Sequence, residues 1–211
     1  MTDPHGAGSG VGRPTSTPRS YFENLYHLDE DPWGFTTSTY EARKYAVTLA
    51  SLPDDHYRRA FEPGCSIGVL TEGLASRCDT LHAVDFMEKA AAAARARTAG
   101  MPGVLVERRT MPEEWPEGPF DLIVLSELAY YFDADGLRRV MAVASRSMAE
   151  TGVVVGVHWR GTTDYPLNGD QAHAIMGATP NLEEVVHHLE DRFVLDMWRY
   201  RRKGQDGNLL N

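Results

Sequence analysis

Glu62, Asp85, Glu127 and His158 each stand at or beside the end of a short apolar run that reads as a strand. Carboxylates and an imidazole gathered at strand ends can hold a ligand's cation or hydroxyls, and can take up a proton. The first of them opens the turn Glu62-Pro63-Gly64-Cys65-Ser66-Ile67-Gly68, which runs straight into a helix-forming segment from Val69. Roughly 20 residues later, Leu81-His82-Ala83-Val84 ends in Asp85. Strand, glycine turn, helix, then a strand ending in an acid is how a doubly wound sheet holds a nucleoside-bearing cofactor. Gly64 and Gly68 let the backbone approach that ligand, with Cys65 and Ser66 between them, and Asp85 can accept from ribose hydroxyls. Phe86 and Met87 follow and can pack on a base.

Two cofactor types compete for this turn. A dinucleotide site wants G-x-G-x-x-G, and aligned on Gly64 the other two places are Ser66 and Val69. Class I S-adenosylmethionine-dependent methyltransferases carry an acid and then x-G-x-G-x-G, which here gives Glu62, Gly64, Ser66 and Gly68. A carboxylate at the mouth of the first strand suits the ammonium of a methionine moiety and would repel a diphosphate. S-adenosyl-L-methionine is therefore the expected cofactor.

The elements that must position these residues alternate along the chain. Residues 1–20 and 204–211 are poor in apolar side chains and read as a disordered and a flexible tail around one domain, 21–203. Residues 21–53 read as an N-terminal helical lid. It is rich in aromatics, and Ser38-Thr39-Tyr40-Glu41 looks like a capping box before Ala42, Tyr45, Ala46, Leu49 and Leu52. Strands are expected over 59–62, 80–85, 104–108, 120–126, 152–158 and 193–198, and helices over 69–77, 88–98, around 137–148, and over 181–190. This alternation implies an α/β, Rossmann-like doubly wound sheet, mostly parallel and covered on both faces.

Residues 21–160 resemble the nodulation-S-type branch of class I methyltransferases, small-molecule N-methyltransferases of bacteria. The carrying segments are Asp31-Pro32-Trp33-Gly34-Phe35, Tyr40-Glu41-Ala42-Arg43-Lys44-Tyr45, the Glu62–Gly68 turn, and Phe120-Asp121-Leu122-Ile123-Val124 running into Ser126-Glu127. The resemblance implies a seventh, antiparallel strand at the sheet edge, which residues 192–200 would supply. It implies methyl transfer from S-adenosylmethionine to a nitrogen of a small molecule. An adenine contact after strand three is expected from Thr110 or Met111, although the acid usual in the superfamily is missing between Arg108 and Pro112. Ser126 falls at the ligand edge of strand four. Trp33, Tyr40 and Arg43 in the lid can exclude water and reach the cofactor.

On the acceptor side, Glu127 or His158 is the candidate to take the amine's proton. Tyr130 and Tyr131 can wall the pocket, and Trp159, Arg160, Asp164 and His173 lie where substrate determinants would fall. No metal set is read: Cys65 and Cys78 are isolated, and His187-His188 with Glu190 on a helix point to different faces with no third ligand evident. An O-methyltransferase fits the same residues, with His158 deprotonating a hydroxyl. A nicotinamide-dependent oxidoreductase would want Tyr-x-x-x-Lys on a later helix, and neither Tyr130 nor Tyr131 has that lysine.

The formal charge is −9 over 211 residues, with no basic run, which argues against a nucleic-acid partner. No apolar stretch is long enough to span a bilayer and no export signal is evident, so a cytoplasmic, membrane-free protein is expected.

Overall fold

The computed structural model describes residues 15–201. Two helices, α1 (Arg19–Leu28) and α2 (Thr39–Ser51), precede β1 (Tyr57–Pro63), α3 (Val69–Ala75), β2 (Cys78–Asp85), α4 (Glu88–Arg97) and β3 (Val104–Arg108). Then come β4 (Phe120–Ser126), α5 (Ala134–Arg146), β5 (Met148–Trp159), α6 (Gly169–Gly177), β6 (Leu182–Leu189) and β7 (Phe193–Tyr200). They build one seven-stranded sheet in the order β3-β2-β1-β4-β5-β7-β6. The first five strands in that order run parallel, and β7 is antiparallel to both of its neighbours.

β4 is central because its run Leu122-Ile123-Val124-Leu125 is fully buried and packs apolar side chains on both faces. One face joins Phe61, Ile123 and Leu125 to α1 and α5, and the other joins Leu122 and Val124 to the Leu70–Leu74 side of α3. The strand order reverses between β1 and β4. A crevice at the carboxyl ends of such strands is where open α/β sheets place ligands.

Three expectations need correction. Residues 181–190 are not a helix: Leu182–Leu189 is β6, paired along its length with β7. The helical spacing of Leu182, Val185, Val186 and Leu189 comes from a bulge between Glu184 and Val186 that breaks the two-residue alternation. The segment expected at the sheet edge, 192–200, is second from it. β7 lies between β5 and β6, and β6 is the edge. The expected tail boundary at residue 20 falls inside α1, and two described residues before it are tied down: Ser16 Oγ donates to Asp133 Oδ2 (2.9 Å) and Thr17 N to the Tyr131 carbonyl (2.7 Å). The part of that tail over 1–14 is outside the described residues. The tail expected over 204–211 lies outside the described residues.

α2 also differs in its buried stripe. Ser38 caps it as expected, accepting from Glu41 N, but its most buried residues are Glu41, Lys44 and Thr48. The helix turns a polar stripe inward, while Ala42 and Ala46 of the expected apolar face are exposed. Among the described residues, no helix is long and apolar enough to cross a membrane.

Candidate active site

A cavity of about 940 Å³ opens at the carboxyl ends of β1, β2 and β4, roofed by α1 and the start of α2. Its floor is the glycine turn. Gly64 and Gly68 both have positive φ (+75° and +80°). A Cβ on Gly64 would meet the Leu128 side chain at 2.9 Å, beside the cavity. A Cβ on Gly68 would meet the Cα of Ala94 in α4 at 2.9 Å. Gly68 is therefore a helix-packing glycine, not among the described residues lining the cavity, which corrects its expected place beside the ligand.

Asp85 ends β2 and fastens the turn. Its Oδ2 accepts from Ser66 N (3.0 Å) and its Oδ1 from Met87 N (2.8 Å). Ser66 itself sits at φ +49° and shares a 2.6 Å hydrogen bond with the Tyr26 hydroxyl of α1, linking roof to floor. Burial lifts the Asp85 carboxyl to about 6, against the pull of the Met87, Ser66 and Phe86 amides. Glu62 is deeper still. Burial lifts it to about 8, although Thr71 Oγ1 donates to its Oε2 (2.6 Å) and pulls the other way. Cys65, Phe86, Thr110, Met111 and Ser126 line the same space, as do Trp33 and Tyr40 of the roof. Trp33 stacks on Phe35 and meets Tyr26 edge-on, while Arg192 lies 3.7 Å over the Tyr40 ring. Met87 is buried in the core instead. Arg43 is not among the described residues lining the cavity and pairs with Glu190 at 2.7 Å.

The opposite wall starts at Glu127, just past β4, with the backbone at φ +51°. Its carboxylate is held from three sides. Lys44 Nζ lies 2.5 Å from Oε1, the Tyr130 hydroxyl donates to Oε2, and Trp159 N donates to Oε2 at 3.2 Å. Lys44 also meets Glu41 Oε2 at 2.8 Å and is almost wholly buried. Burial alone would depress the Lys44 ammonium, but Glu127 and Glu41 outweigh it and hold its pKa above the ordinary lysine value. Burial pushes the Glu41 carboxyl up, with Lys44 pulling it back. Sequence reasoning missed Lys44: its pairing with Glu41 at three residues' spacing looks like a surface ion pair, and Glu127 is 83 positions distant. Tyr130, Tyr131 and Trp159 do line the cavity, joined by Tyr21, Tyr165 and Arg192. Tyr165 stacks on Tyr130 with ring centres 5.2 Å apart.

His158 is elsewhere. It is fully buried, its Nε2 accepts from Ala129 N at 2.9 Å, and its Nδ1 is 2.9 Å from His173 Nε2. An Nε2 that accepts leaves the ring proton on Nδ1, donated to His173, whose own Nδ1 reaches Asp196 Oδ2 at 2.6 Å. Burial, His173 and Lys44 all hold the His158 pKa well below the usual value. With both nitrogens engaged, His158 has no lone pair to offer a substrate, so its expected role as a base is withdrawn. His173 belongs to this chain of bonds rather than to the cavity. Arg160 forks onto Asp170 (2.7 and 3.0 Å) and bonds the Glu190 carbonyl, and Asp164 is exposed. Neither is among the described residues lining the cavity.

Comparison with known proteins follows this geometry. The sequence profile of the family described as Nodulation protein S (NodS) matches residues 23–150. Nodulation protein S of Bradyrhizobium diazoefficiens is 36% identical over 108 residues, covering 48% of this chain and 49% of that protein. The Sinorhizobium fredii protein of the same name is 29% identical over 140 residues, covering 63% and 65%. The chain thus spans between about half and two thirds of the length of these relatives. Among solved structures, a Pseudomonas syringae protein assigned as a methyltransferase superimposes with a TM-score of 0.70 at 41% identity, over 77% of this chain and 99% of that one. N-methyltransferase NodS from Bradyrhizobium japonicum WM9, in complex with S-adenosyl-L-homocysteine, superimposes at 0.76 with 24% identity, over 86% and 97%, and shares the fold. With the match running from α1 through the end of α5 and on into β5, across the glycine turn and the Glu127 wall, the chain belongs to the nodulation protein S family.

Proposed function

We propose that this protein transfers the methyl group of S-adenosyl-L-methionine to a nitrogen of a small-molecule acceptor. One observation carries the reading. Glu62 and Asp85, at the ends of neighbouring strands, both face the cavity floor and, among the described residues, have only hydroxyl and amide partners. Two desolvated carboxyls beside a glycine turn suit an ammonium and ribose hydroxyls. The tight fit of Gly64 against Leu128 is the cradle such a ligand needs. Glu62 would pair with the amino group, Asp85 with the ribose, and Phe86, Thr110 and Met111 would border the adenine.

The cofactor supplies an activated methyl on a sulfonium, so the protein's task is alignment and exclusion of water. Tyr26, Trp33 and Phe35 in the roof and Tyr130, Tyr131 and Tyr165 in the wall close the space with aromatic surface. Glu127 would orient the acceptor amine and take its proton, because it is the carboxylate of the far wall at the end of a central strand. Lys44 holds that carboxylate in place. A small acceptor, rather than a nucleic acid, agrees with the acidic chain, and the free thiols Cys65 and Cys78 agree with a cytoplasmic setting.

Calorimetric titration with S-adenosylhomocysteine and with NADH tests the cofactor, and turnover of Glu127→Gln on a panel of amines tests the wall. The expected result is saturable binding of S-adenosylhomocysteine only. Glu127→Gln should bind it within about threefold of the parent while methyl transfer falls by roughly 10²-fold or more. Tight NADH binding, or unaltered turnover in the variant, would overturn the respective assignment.

A further inference from the structure

The bond chain that occupies His158 continues away from the cavity to the outer edge of the sheet. Asp196 of β7 receives His173 on Oδ2 and His187 of β6 on Oδ1, each at 2.6 Å. His187 and Asp196 are directly opposed across the antiparallel ladder. The bulge between Glu184 and Val186 then has a chemical consequence. Glu184 opposes Trp198 and His187 opposes Asp196, and Trp198 and Asp196 share one face of β7. Residues three apart in β6 therefore project on the same side as Asp196, which a regular strand would forbid. One ligand atom from each of Glu184, His187 and Asp196 lies within 4.8 Å of the others.

We propose that Glu184, His187 and Asp196 form a binding site for a divalent transition-metal ion of the zinc, cobalt or nickel class. One imidazole and two carboxylates are a donor set these borderline ions accept, whereas calcium and magnesium prefer oxygen alone. Three protein ligands leave further positions for water or a fourth donor, and the group opens into a concavity of about 520 Å³. Asp196 is buried and already aimed, because His173 holds its second oxygen as an outer partner holds a metal-ligating carboxylate. Glu184 and His187 are exposed and can adjust. The neighbouring cation Arg160 is neutralised by its fork onto Asp170. Ligation through Nδ1 requires the His187 proton to move to Nε2 and the two side chains to part slightly, the ion taking the place of the 2.6 Å hydrogen bond between Nδ1 and Asp196 Oδ1. His188, on the other face of β6, pairs with Glu190 and takes no part. The ion would clamp the edge strand to β7.

The test uses the full chain without an affinity tag, stripped with chelator. Titration calorimetry with Zn²⁺ and Co²⁺ should show one saturating equivalent, accompanied by a rise in the thermal midpoint. His187→Ala and Glu184→Gln, both at exposed positions that a folded chain tolerates, should each weaken the isotherm by about tenfold or more. His188→Ala should leave it unchanged. Absence of saturable binding, equal binding in His187→Ala, or an indistinguishable isotherm with Mg²⁺ would each overturn the site.

Discussion

The floor and the far wall of the cavity both bury carboxylates, and they treat them in opposite ways. On the floor, Glu62 and Asp85 have, among the described residues, only Thr71 and backbone amides as partners, and burial lifts them to about 8 and about 6. On the wall, Glu41 and Glu127 share a buried ammonium, Lys44, at 2.8 and 2.5 Å. A carboxyl surrounded by neutral donors keeps an incentive to gain a cation. A carboxylate already holding one does not, and serves as a fixed dipole acceptor. The difference assigns binding of a charged ligand group to the floor and orientation of a neutral one to the wall.

Removing the wall's cation should give the largest effect. Lys44→Met leaves two buried carboxylates facing each other, and loss of one partner of a buried pair costs about 3–5 kcal/mol. Urea unfolding should register that loss, and adding Glu41→Gln and Glu127→Gln to the variant should recover most of it. A Lys44→Met protein as stable as the parent would mean that the wall is solvated and the ion pair dispensable. Among the described residues the floor has no comparable keystone, since no single side chain there neutralises both acids.

How far each region was legible follows from how local its causes are. The turn at Gly64 and the strand end at Asp85 were readable because a positive φ, a close approach and a strand end are all set within about twenty-five residues of chain, whereas the packing of Gly68 on α4 was not. β3 and β4 fell at their expected bounds, Val104–Arg108 and Phe120–Ser126, because continuous apolar runs have one comfortable place in such a sheet. Lys44 was not readable, because what makes its burial tolerable is Glu127, far off in sequence. His158 looked like a base because only the fold shows that the Ala129 amide and His173 use both its nitrogens. β6 failed for a third reason: its bulge shifted the apolar phase into a helical one.

The two glycines sharpen the contrast within the floor. Gly68→Ala sets a methyl 2.9 Å from backbone of α4, and left-handed φ adds its own cost. A stability loss of about 2–4 kcal/mol is expected. Gly64→Ala meets first the Leu128 side chain, whose end can move. It should cost about 1–2 kcal/mol in stability and show itself instead as weaker S-adenosylhomocysteine binding, by roughly tenfold. Unfolding and calorimetry on the pair separate packing from ligand contact, and equal stability losses in both would erase that distinction.

The smallest effect is a proton, and it distinguishes floor from wall most directly. Glu62 is raised, so it is a group whose protonated form favours the unliganded fold. Its contribution is full below the ordinary carboxyl range near 4.5 and is lost as the pH climbs through about 8. At pH 7 the carboxyl is therefore mostly protonated before any ligand arrives. Pairing with an ammonium demands the ionised form, so binding of S-adenosylhomocysteine at pH 7 should release protons. Calorimetry repeated in phosphate and in Tris reads this as a dependence of the observed enthalpy on the buffer's ionisation enthalpy. Glu62→Gln should abolish the dependence, whereas Glu127→Gln should leave it intact, because the wall carboxylate already holds Lys44. A proton count that follows Glu127 instead would place the ligand's ammonium on the wrong side of the cavity for this reading.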